Sequence, residues 1–368
     1  MIGDESLTPD SSSKLTLNRP EPILSDIDIV PFNRRMAPQY AVEALVEGYF
    51  VLITDSYSSG LDVLNELKKY VKKAKPDQSF QGQRAFRTLF RELSHRLLLH
   101  IGNHKLTVKK APTIGWLKIL YPELNEFLLA FSQVQGLNSA WQWFEKGIII
   151  PGLERKIHPF YGTYFPTRFE HIELFDTWLK HYQGDKTSAI DIGIGSGVLS
   201  FLLLRHGFNN IYGTDTNPNA IFGLDEYLKK KNLHSQIELS FGDLFNNRDL
   251  KTELILFNPP WIPASHDMDL IDQAIYYPSG LFPQFFKEAK KRLKPKGKIV
   301  LIFSNLAQIT GVCDHHPIET ELAQGGRFTI ESLTKLQVKA ASKHNLRDRN
   351  WRESEKVELW VLKSIAEE

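Results

Sequence analysis

The chain has 368 residues, of which 42% are hydrophobic, so it is long enough for two domains and at least one large core. Its 45 lysines and arginines nearly balance 43 acidic residues, and a net charge of +2 gives no overall attraction to nucleic acid or anionic membranes. The single cysteine, Cys313, excludes an internal disulfide framework. No stretch is apolar enough for a signal peptide or a membrane span. Together these features predict a soluble cytoplasmic protein without a membrane partner.

The N-terminal part of the chain divides into a polar tail and a helical region. Residues 1–30 are rich in Ser, Asp and Pro, a composition that predicts a mobile tail. In 61–75, LDVLNELKKYVKKAK, apolar residues recur every three or four positions, as on one face of a helix, and the lysines form either a solvated face or a nucleic-acid contact. The same spacing in 84–100 predicts a second helix, and a third begins within 122–131. We therefore predict a mainly α-helical domain over residues 31–150.

Residues 151–368 alternate short apolar runs with helical segments. Predicted strands are SAIDIGIG, NIYGTD, QIELSFGD, ELILFN and KIVLIFSNL, with amphipathic segments between them. Strands that alternate with helices predict a doubly wound parallel α/β sheet covered on both faces. The last two apolar runs, LTKLQVKA and KVELWVLK, predict a C-terminal antiparallel hairpin at the edge of that sheet.

Polar motifs follow four consecutive predicted strands, and the first is rich in glycine. Ligands bind beyond the carboxyl ends of the strands in such a sheet, so we expect the four motifs to lie together. The first is DIGIGSG at 191–197, where alternate glycines allow the backbone to turn tightly against a ligand. Its spacing differs from the dinucleotide fingerprint, and the acid at its start favours a cofactor with a cationic end.

The second and third motifs are acidic. Asp215 ends the second strand, where a carboxylate can accept hydrogen bonds from both hydroxyls of a ribose. Asp243 follows the third strand, where its carboxylate or the backbone N–H of Leu244 can meet an adenine ring. Each acid alone could equally be a helix cap or a turn residue. Four such signals in order predict a nucleoside site.

The fourth motif is NPPW at 258–261. Each proline fixes φ and removes a backbone donor, so the strand must end there. By itself the motif could be a stiff turn with a half-buried tryptophan. Its place at the fourth strand end, after three ligand motifs, favours a functional interpretation.

With these four motifs, residues of about 160–310 resemble the class I methyltransferases that use S-adenosylmethionine. The resemblance implies a Rossmann-like methyltransferase sheet with the glycine loop around the methionine part of the cofactor, Asp215 at its ribose, and Asp243 with Leu244 at its adenine. The FPT run at 165–167 is similar to a short motif that lines the cofactor in amino-methylating members. The residues that the resemblance assigns to S-adenosylmethionine are Thr167, Asp191, Gly193, Gly195, Gly197, Asp215, Asp243 and Leu244.

In that family the NPPW type of motif marks methylation of a nitrogen on a planar, conjugated group. The lone pair of such a nitrogen is delocalised, which makes it a weak nucleophile. We expect Asn258 Oδ1 and the carbonyl of Pro259 to accept its two N–H bonds, and Trp261 to stack on the planar group, without an ionised base before attack. The residues assigned to catalysis are Asn258, Pro259, Pro260 and Trp261.

The run NPPWIPA is similar to the NPPYIP run of release-factor glutamine methyltransferases, which also carry a helical substrate-recognition domain before the catalytic one. Trp261 stands where they usually have Tyr, and FPTRFEHIE departs from their signature before the first strand. Although these two features depart from the pattern, the similarity of NPPWIPA favours a glutamine side chain of a protein, such as a translation factor, as the substrate. The alternatives are a nucleobase amine of RNA or DNA, at adenine N6 or guanine N2, and a non-catalytic nucleoside-binding scaffold. No metal is expected, because the ligand-capable residues 313–316 are adjacent rather than spaced.

Overall fold

The computed structural model describes residues 15–24, 27–75, 80–264, 276–339 and 354–365. They belong to two compact units, one of Leu17–Lys146 and one of Gly147–Glu368 together with the segment that ends at Thr16. Among the described residues, no helix is both long enough and apolar enough to cross a membrane.

In its described residues the N-terminal unit combines helices with a five-stranded sheet, which the prediction of a mainly helical domain did not include. Its elements in chain order are β1 (Ile29–Phe32), α1 (Pro38–Glu47), β2 (Phe50–Ile53), α2 (Tyr57–Ala74), α3 (Phe80–Ser94), β3 (Leu97–Gly102), β4 (Lys105–Leu106), α4 (Trp116–Leu120), β5 (Glu126–Ala130) and α5 (Phe131–Lys146). Strands β1, β2 and β3 are parallel, and β4 and β5 pair antiparallel with β3. The helix predicted over 61–75 is confirmed as part of α2.

Two short apolar runs account for the missed strands. The second predicted helix ends at Ser94, and the leucines that follow it form β3 instead. The third predicted helix is preceded by β5, whose Phe127 and Leu129 are buried. Periodicity cannot separate a buried strand from a buried helical turn over five or six residues, and the pairing of β3 with β5 decides between them.

Part of the predicted tail is held to this unit. Ile23 forms an isolated antiparallel bridge with Leu128 on β5. The guanidinium of Arg19 lies 2.6 Å from the carboxylate of Glu123. These backbone and ionic contacts anchor a segment whose composition alone predicted mobility, while residues 1–14 of that prediction lie outside the described residues.

The C-terminal unit carries the larger sheet. Its elements are β6 (Ile148–Ile149), β7 (Lys156–Ile157), α6 (Glu170–His181), β8 (Ser188–Ile192), α7 (Val198–Arg205), β9 (Asn210–Asp215), α8 (Pro218–Lys231), β10 (Ile237–Phe241), β11 (Thr252–Phe257), β12 (Ile262–Pro263), β13 (Tyr276–Tyr277), α9 (Leu281–Arg292), β14 (Leu293–Ser304), α10 (Leu306–Ile309), α11 (Pro317–Gly325), β15 (Phe328–Gln337) and β16 (Lys356–Ser364). In the described part of the chain seven strands form one sheet in the order β10-β9-β8-β11-β14-β16-β15. The first five are parallel, and β16 is antiparallel to both β14 and β15. Strand order therefore reverses between β8 and β11.

Both faces of this sheet are buried. Along β11, Leu254 and Leu256 belong to one hydrophobic core, while Ile255 and Phe257 belong to the other. This alternation follows from the two-residue period of a strand. Residues of α6, α7 and α8 complete the first core, and residues of α9 and α11 complete the second. The helices and strands thus confirm the doubly wound architecture predicted from the sequence.

Candidate functional site

A cavity of about 820 Å³ lies beyond the carboxyl ends of β8, β9, β10 and β11, at the point where the strand order reverses. Cavities of this size accommodate ligands the size of a nucleoside cofactor. Most of the predicted site residues lie on its wall, although they are distant in the sequence. The predicted residues found there are Gly193, Gly195, Asp215, Asp243, Leu244, Asn258, Pro259, Pro260 and Trp261.

The glycine loop after β8 uses its glycines in two different ways. All three adopt left-handed conformations, with φ of +66° at Gly193, +52° at Gly195 and +76° at Gly197, which explains their spacing. The first two lie on the cavity wall. A Cβ at Gly197 would lie 3.0 Å from Leu224 Cδ1 on α8, so this glycine lets α7 pack closely on α8 and is not part of the wall.

The acid that begins the glycine motif is not among the described lining residues of the cavity. Asp191 is 1% exposed, and its Oδ2 accepts a hydrogen bond of 2.6 Å from the hydroxyl of Ser200 on α7. Burial raises the pKa of Asp191 to about 7. Its side chain points toward α7, and its assignment to the cofactor stays a prediction.

Asp215, at the end of β9, connects two loops of the site. Its Oδ2 accepts the backbone N–H of Gly195 at 2.8 Å, and its Oδ1 accepts the backbone N–H of Asn217 at 2.8 Å. Burial raises the pKa of Asp215, and these N–H groups oppose that shift. Each oxygen keeps lone-pair capacity for a further donor, so the carboxylate can hold two hydroxyl groups while it orders the glycine loop.

The third motif forms another part of the wall. Asp243 is exposed there, while Leu244 is buried and has a φ of +44°. The carbonyl of Leu244 accepts a hydrogen bond from the hydroxyl of Thr214 on β9, which helps to hold this unfavourable backbone conformation. A left-handed leucine is uncommon, and such residues occur where a structure must present its backbone in one orientation.

The segment before α6 contributes a different residue from the one predicted. Thr167 is exposed and is absent from the described wall of the cavity, whereas Tyr164 is on it. The segment is fixed by Asn219 on α8, whose buried amide donates to the carbonyl of Tyr161 at 2.8 Å. The segment that the FPT resemblance singled out thus borders the cavity through Tyr164, and the assignment of Thr167 to the cofactor stays a prediction.

The NPPW motif follows β11 directly and lies along the cavity wall. The indole N–H of Trp261 donates to Asn258 Oδ1 at 3.2 Å. Behind the indole, the ring of His171 on α6 lies edge-on, with centroids 6.1 Å apart and planes at 88°. Burial lowers the pKa of His171 to about 4, so its ring is neutral near neutral pH. No sequence signal singled out His171. Its contact with Trp261 joins α6, which precedes the sheet in the chain, to the loop after β11, and only the folded chain brings the two together.

Uncharged residues also line the cavity beside the NPPW motif. Tyr276 lies next to Ile262 through the pairing of β13 with β12, and Leu281 and Leu306 lie on the same wall. Motif reasoning missed them because they belong to no recognised pattern.

The described part of the cavity wall is acidic. Asp215 and Asp243 are its charged residues, and it holds no lysine or arginine. A wall of this kind favours a cationic ligand over a phosphate-bearing one. Among the described residues no group of three His, Cys, Asp or Glu side chains is arranged to hold a metal ion.

Comparisons with known proteins identify the kind of domain. Residues 174–332 match the family model of the methyltransferase small domain. A protein from Methanocaldococcus jannaschii, provisionally named protein N5-glutamine methyltransferase, is 30% identical over 165 residues, which cover 43% of this chain and 80% of that protein. The chain belongs to the small-domain methyltransferase family. It is therefore a methyltransferase by family.

Other methyltransferases match over shorter stretches. The ribosomal protein L11 methyltransferase of Lachnospira eligens is 33% identical over 92 residues, 24% of this chain and 29% of that protein. The ribosomal RNA small subunit methyltransferase C of Alcanivorax borkumensis is 30% identical over 122 residues, 33% of this chain and 34% of that protein. The chain thus spans about a third of the length of these two relatives. A solved structure of the L11 methylase from Lactobacillus delbrueckii subsp. bulgaricus aligns with a TM-score of 0.39 at 17% identity, covering 60% of this chain and 93% of that one.

Proposed function

We propose that this methyltransferase uses S-adenosylmethionine to methylate a planar amide or amine nitrogen, with a glutamine side chain of a protein as the favoured substrate. The observation that carries the proposal is the NPPW motif on the same cavity wall as Asp215 and Asp243. A cofactor that reaches from these acids toward the glycine loop would have its reactive end within the cavity that Asn258 and Trp261 line.

The wall suits this cofactor. S-adenosylmethionine carries a sulfonium and an ammonium group, and when bound it supplies an electrophilic methyl group. The acidic wall without a described lysine or arginine fits these cations. Asp215 would hold the ribose hydroxyls, Asp243 and the backbone of Leu244 would meet the adenine, and the bare backbone of Gly193 and Gly195 would allow close approach.

The NPPW motif would activate the substrate nitrogen. Asn258 Oδ1 and the carbonyl of Pro259 would accept its two N–H groups, which favours a geometry in which the lone pair is available. The indole N–H of Trp261 uses only part of the accepting capacity of Asn258 Oδ1, so a second donor can bind there. Asn258 and Pro259 would hold the nitrogen while it takes the methyl group that S-adenosylmethionine would supply, and the surplus proton of the product would leave to water.

Two observations favour a protein over a nucleic acid as substrate. The Methanocaldococcus jannaschii relative, of which this chain covers 80%, carries the name of a protein glutamine methyltransferase. The described cavity wall also lacks the lysine or arginine that phosphate contacts usually need. Methylation of a nucleobase amine is the second candidate, which the similarity to a ribosomal RNA methyltransferase supports. The scaffold alternative gives no reason for an acceptor and an aromatic ring beside the cofactor site.

The test is transfer of a labelled methyl group from S-adenosylmethionine to cell extract, followed by digestion with protease or nuclease. We expect label that resists nuclease, is released by protease, and appears as N5-methylglutamine after enzymatic hydrolysis. Label released only by nuclease would establish the nucleobase alternative. The absence of label in both fractions, with cofactor binding intact by calorimetry, would establish the scaffold.

A further inference from the structure

The buried ring of His171 on α6 forms an aromatic pair with Trp261 of the NPPW motif. We propose that His171 is a positioning residue, which acts through Trp261 to hold the side-chain oxygen of Asn258 toward the substrate nitrogen. This role rests on the proposed function, because it concerns the orientation of the acceptor in that methyl transfer. It assigns a function to a residue on α6 that has no place in the recognised motifs.

The first contact is between Trp261 and Asn258. A carboxamide has an oxygen and an NH2 group of nearly equal size, so an unrestrained asparagine can present either one. The indole N–H is a donor only and therefore pairs with the oxygen, which it meets at 3.2 Å. A half-turn of the amide would bring an NH2 group against the indole donor. The contact thus keeps the acceptor at the position where the substrate N–H groups are expected.

The second contact is between His171 and the indole ring. Their edge-to-face arrangement, at 6.1 Å and 88°, is a favoured geometry for aromatic pairs. His171 is 5% exposed, and the next residue, Ile172, is fully buried in the core. The imidazole therefore rests on a helix that is itself fixed. A neutral ring can occupy this place without burying a charge, which agrees with the low pKa that burial gives His171.

Removal of the imidazole would leave space behind the indole. Trp261 is only half-buried, and its other neighbours are the cavity and the two cores. The indole ring could then shift. The hydrogen bond from Trp261 to Asn258 is already 3.2 Å long, so a small shift would lengthen it beyond the usual range and weaken it. A misplacement of about 1 Å can slow an enzyme about 100-fold even when substrate still binds.

The first experiment measures the contact without a substrate. In the full chain labelled with ¹⁵N at the tryptophan indoles, seven N–H signals are expected, and Trp261→Phe identifies the one from Trp261. We expect His171→Ala to shift that signal and to speed its hydrogen exchange with water, and His171→Phe to restore it. His171→Gln, which keeps much of the volume but not the ring, provides the same test if the alanine variant does not fold. A signal unchanged in the alanine or glutamine variant would overturn the proposal.

The second experiment measures methyl transfer to extract at varied cofactor concentration. We expect His171→Ala to lower the maximal rate by about 10-fold to 100-fold, with cofactor KM within about twofold of the wild type. His171→Phe should recover most of the rate. His181→Ala, at an exposed histidine on the same helix, is the matched control and should match the wild type. An unchanged rate in His171→Ala, or equal losses of rate and cofactor affinity, would contradict the positioning role, whereas a wild type that transfers no methyl group would contradict the proposed function itself.

Discussion

The two units both place polar residues at the ends of parallel strands, but they use them differently. In the N-terminal unit, Asp55 Oδ2 after β2 accepts the backbone N–H of Arg34 after β1 at 3.1 Å, and its carbonyl accepts the N–H of Lys109 at 2.9 Å. In the C-terminal unit, Asp215 also ties two loops together, yet it remains on the wall of a cavity. A strand-end acid is therefore a candidate ligand residue only when its remaining lone pairs face open space.

The largest expected effect concerns the NPPW motif. Asn258→Ala removes an acceptor that stabilises the reacting nitrogen, and loss of one such group typically slows an enzyme by about 100-fold to 1,000-fold. We expect this loss in the initial rate of label transfer, with cofactor affinity by calorimetry close to that of the wild type. Asn209→Ala, at an exposed position outside the cavity wall, is the control and should retain the full rate. A normal rate in Asn258→Ala would remove the basis of the proposed chemistry.

The second prediction contrasts the two strand-end acids. Asp215→Ala should weaken binding of S-adenosylmethionine by about 10-fold to 100-fold, the usual cost of a lost hydrogen bond to a charged group. Asp55→Ala should leave that affinity unchanged, because its carboxylate serves only its own unit. Calorimetric titration of both variants measures the difference. Equal losses would show that the two strand ends are not used differently.

A third prediction concerns pH and has opposite signs in the two units. The raised pKa of Asp191 means that its contribution to folding is present below pH 4 and is lost as pH rises toward 7. At pH 8, Asp191→Asn should therefore be more stable than the wild type, by about 2 kcal/mol in chemical denaturation. The advantage should disappear near pH 4.

Asp55 provides the comparison for that experiment. Burial raises the pKa of Asp55, but the backbone N–H of Arg34 and the hydroxyl of Ser59 outweigh it, so its pKa is lowered. Its contribution to stability should be present at neutral pH and lost as the solution is acidified below about 4. Asp55→Asn should thus be the less stable protein at pH 7. The same pH dependence in both variants would contradict the assignment.

The smallest expected effect separates packing from backbone strain. Gly197→Ala must place a Cβ at 3.0 Å from Leu224 at a φ of +76°, whereas Gly48→Ala meets nothing within 4 Å at a φ of +103°. Strain alone should cost about 1 kcal/mol in Gly48→Ala, and the added contact should make Gly197→Ala worse by roughly another 1 kcal/mol. Chemical denaturation of the two variants measures both. Equal costs would mean that α7 and α8 can adjust around an added methyl group.

The sheet and most of the site could be predicted because both follow from local patterns. Strands such as β11 are short apolar runs between helices, and the rule that ligands bind at strand ends brings Asp215 and Asn258 together without coordinates. The N-terminal sheet escaped prediction because β3 and β5 are defined by their pairing, which is a long-range property. His171 escaped for the same reason, since only the folded chain brings α6 against Trp261.

The direction of the Asp191 side chain also lay beyond the sequence. Alternation along a strand shows that neighbouring residues face opposite sides, but in a strand that is buried on both faces it does not show which side meets a ligand. In the folded chain the Asp191 carboxylate points toward Ser200 in the first turn of α7, whose hydroxyl donates to it.

The NPPW motif directly follows β11, a strand that is buried along its whole length. All six of its residues are buried, and β8 and β14 bond to its two edges. Backbone amides in such a strand exchange with solvent only when a large part of the domain opens. Asn258 follows the last of these residues, so we expect the slowest-exchanging amides of the protein within a residue or two of its acceptor oxygen. We therefore expect the backbone that carries Asn258 to keep its position through many rounds of ligand binding and release.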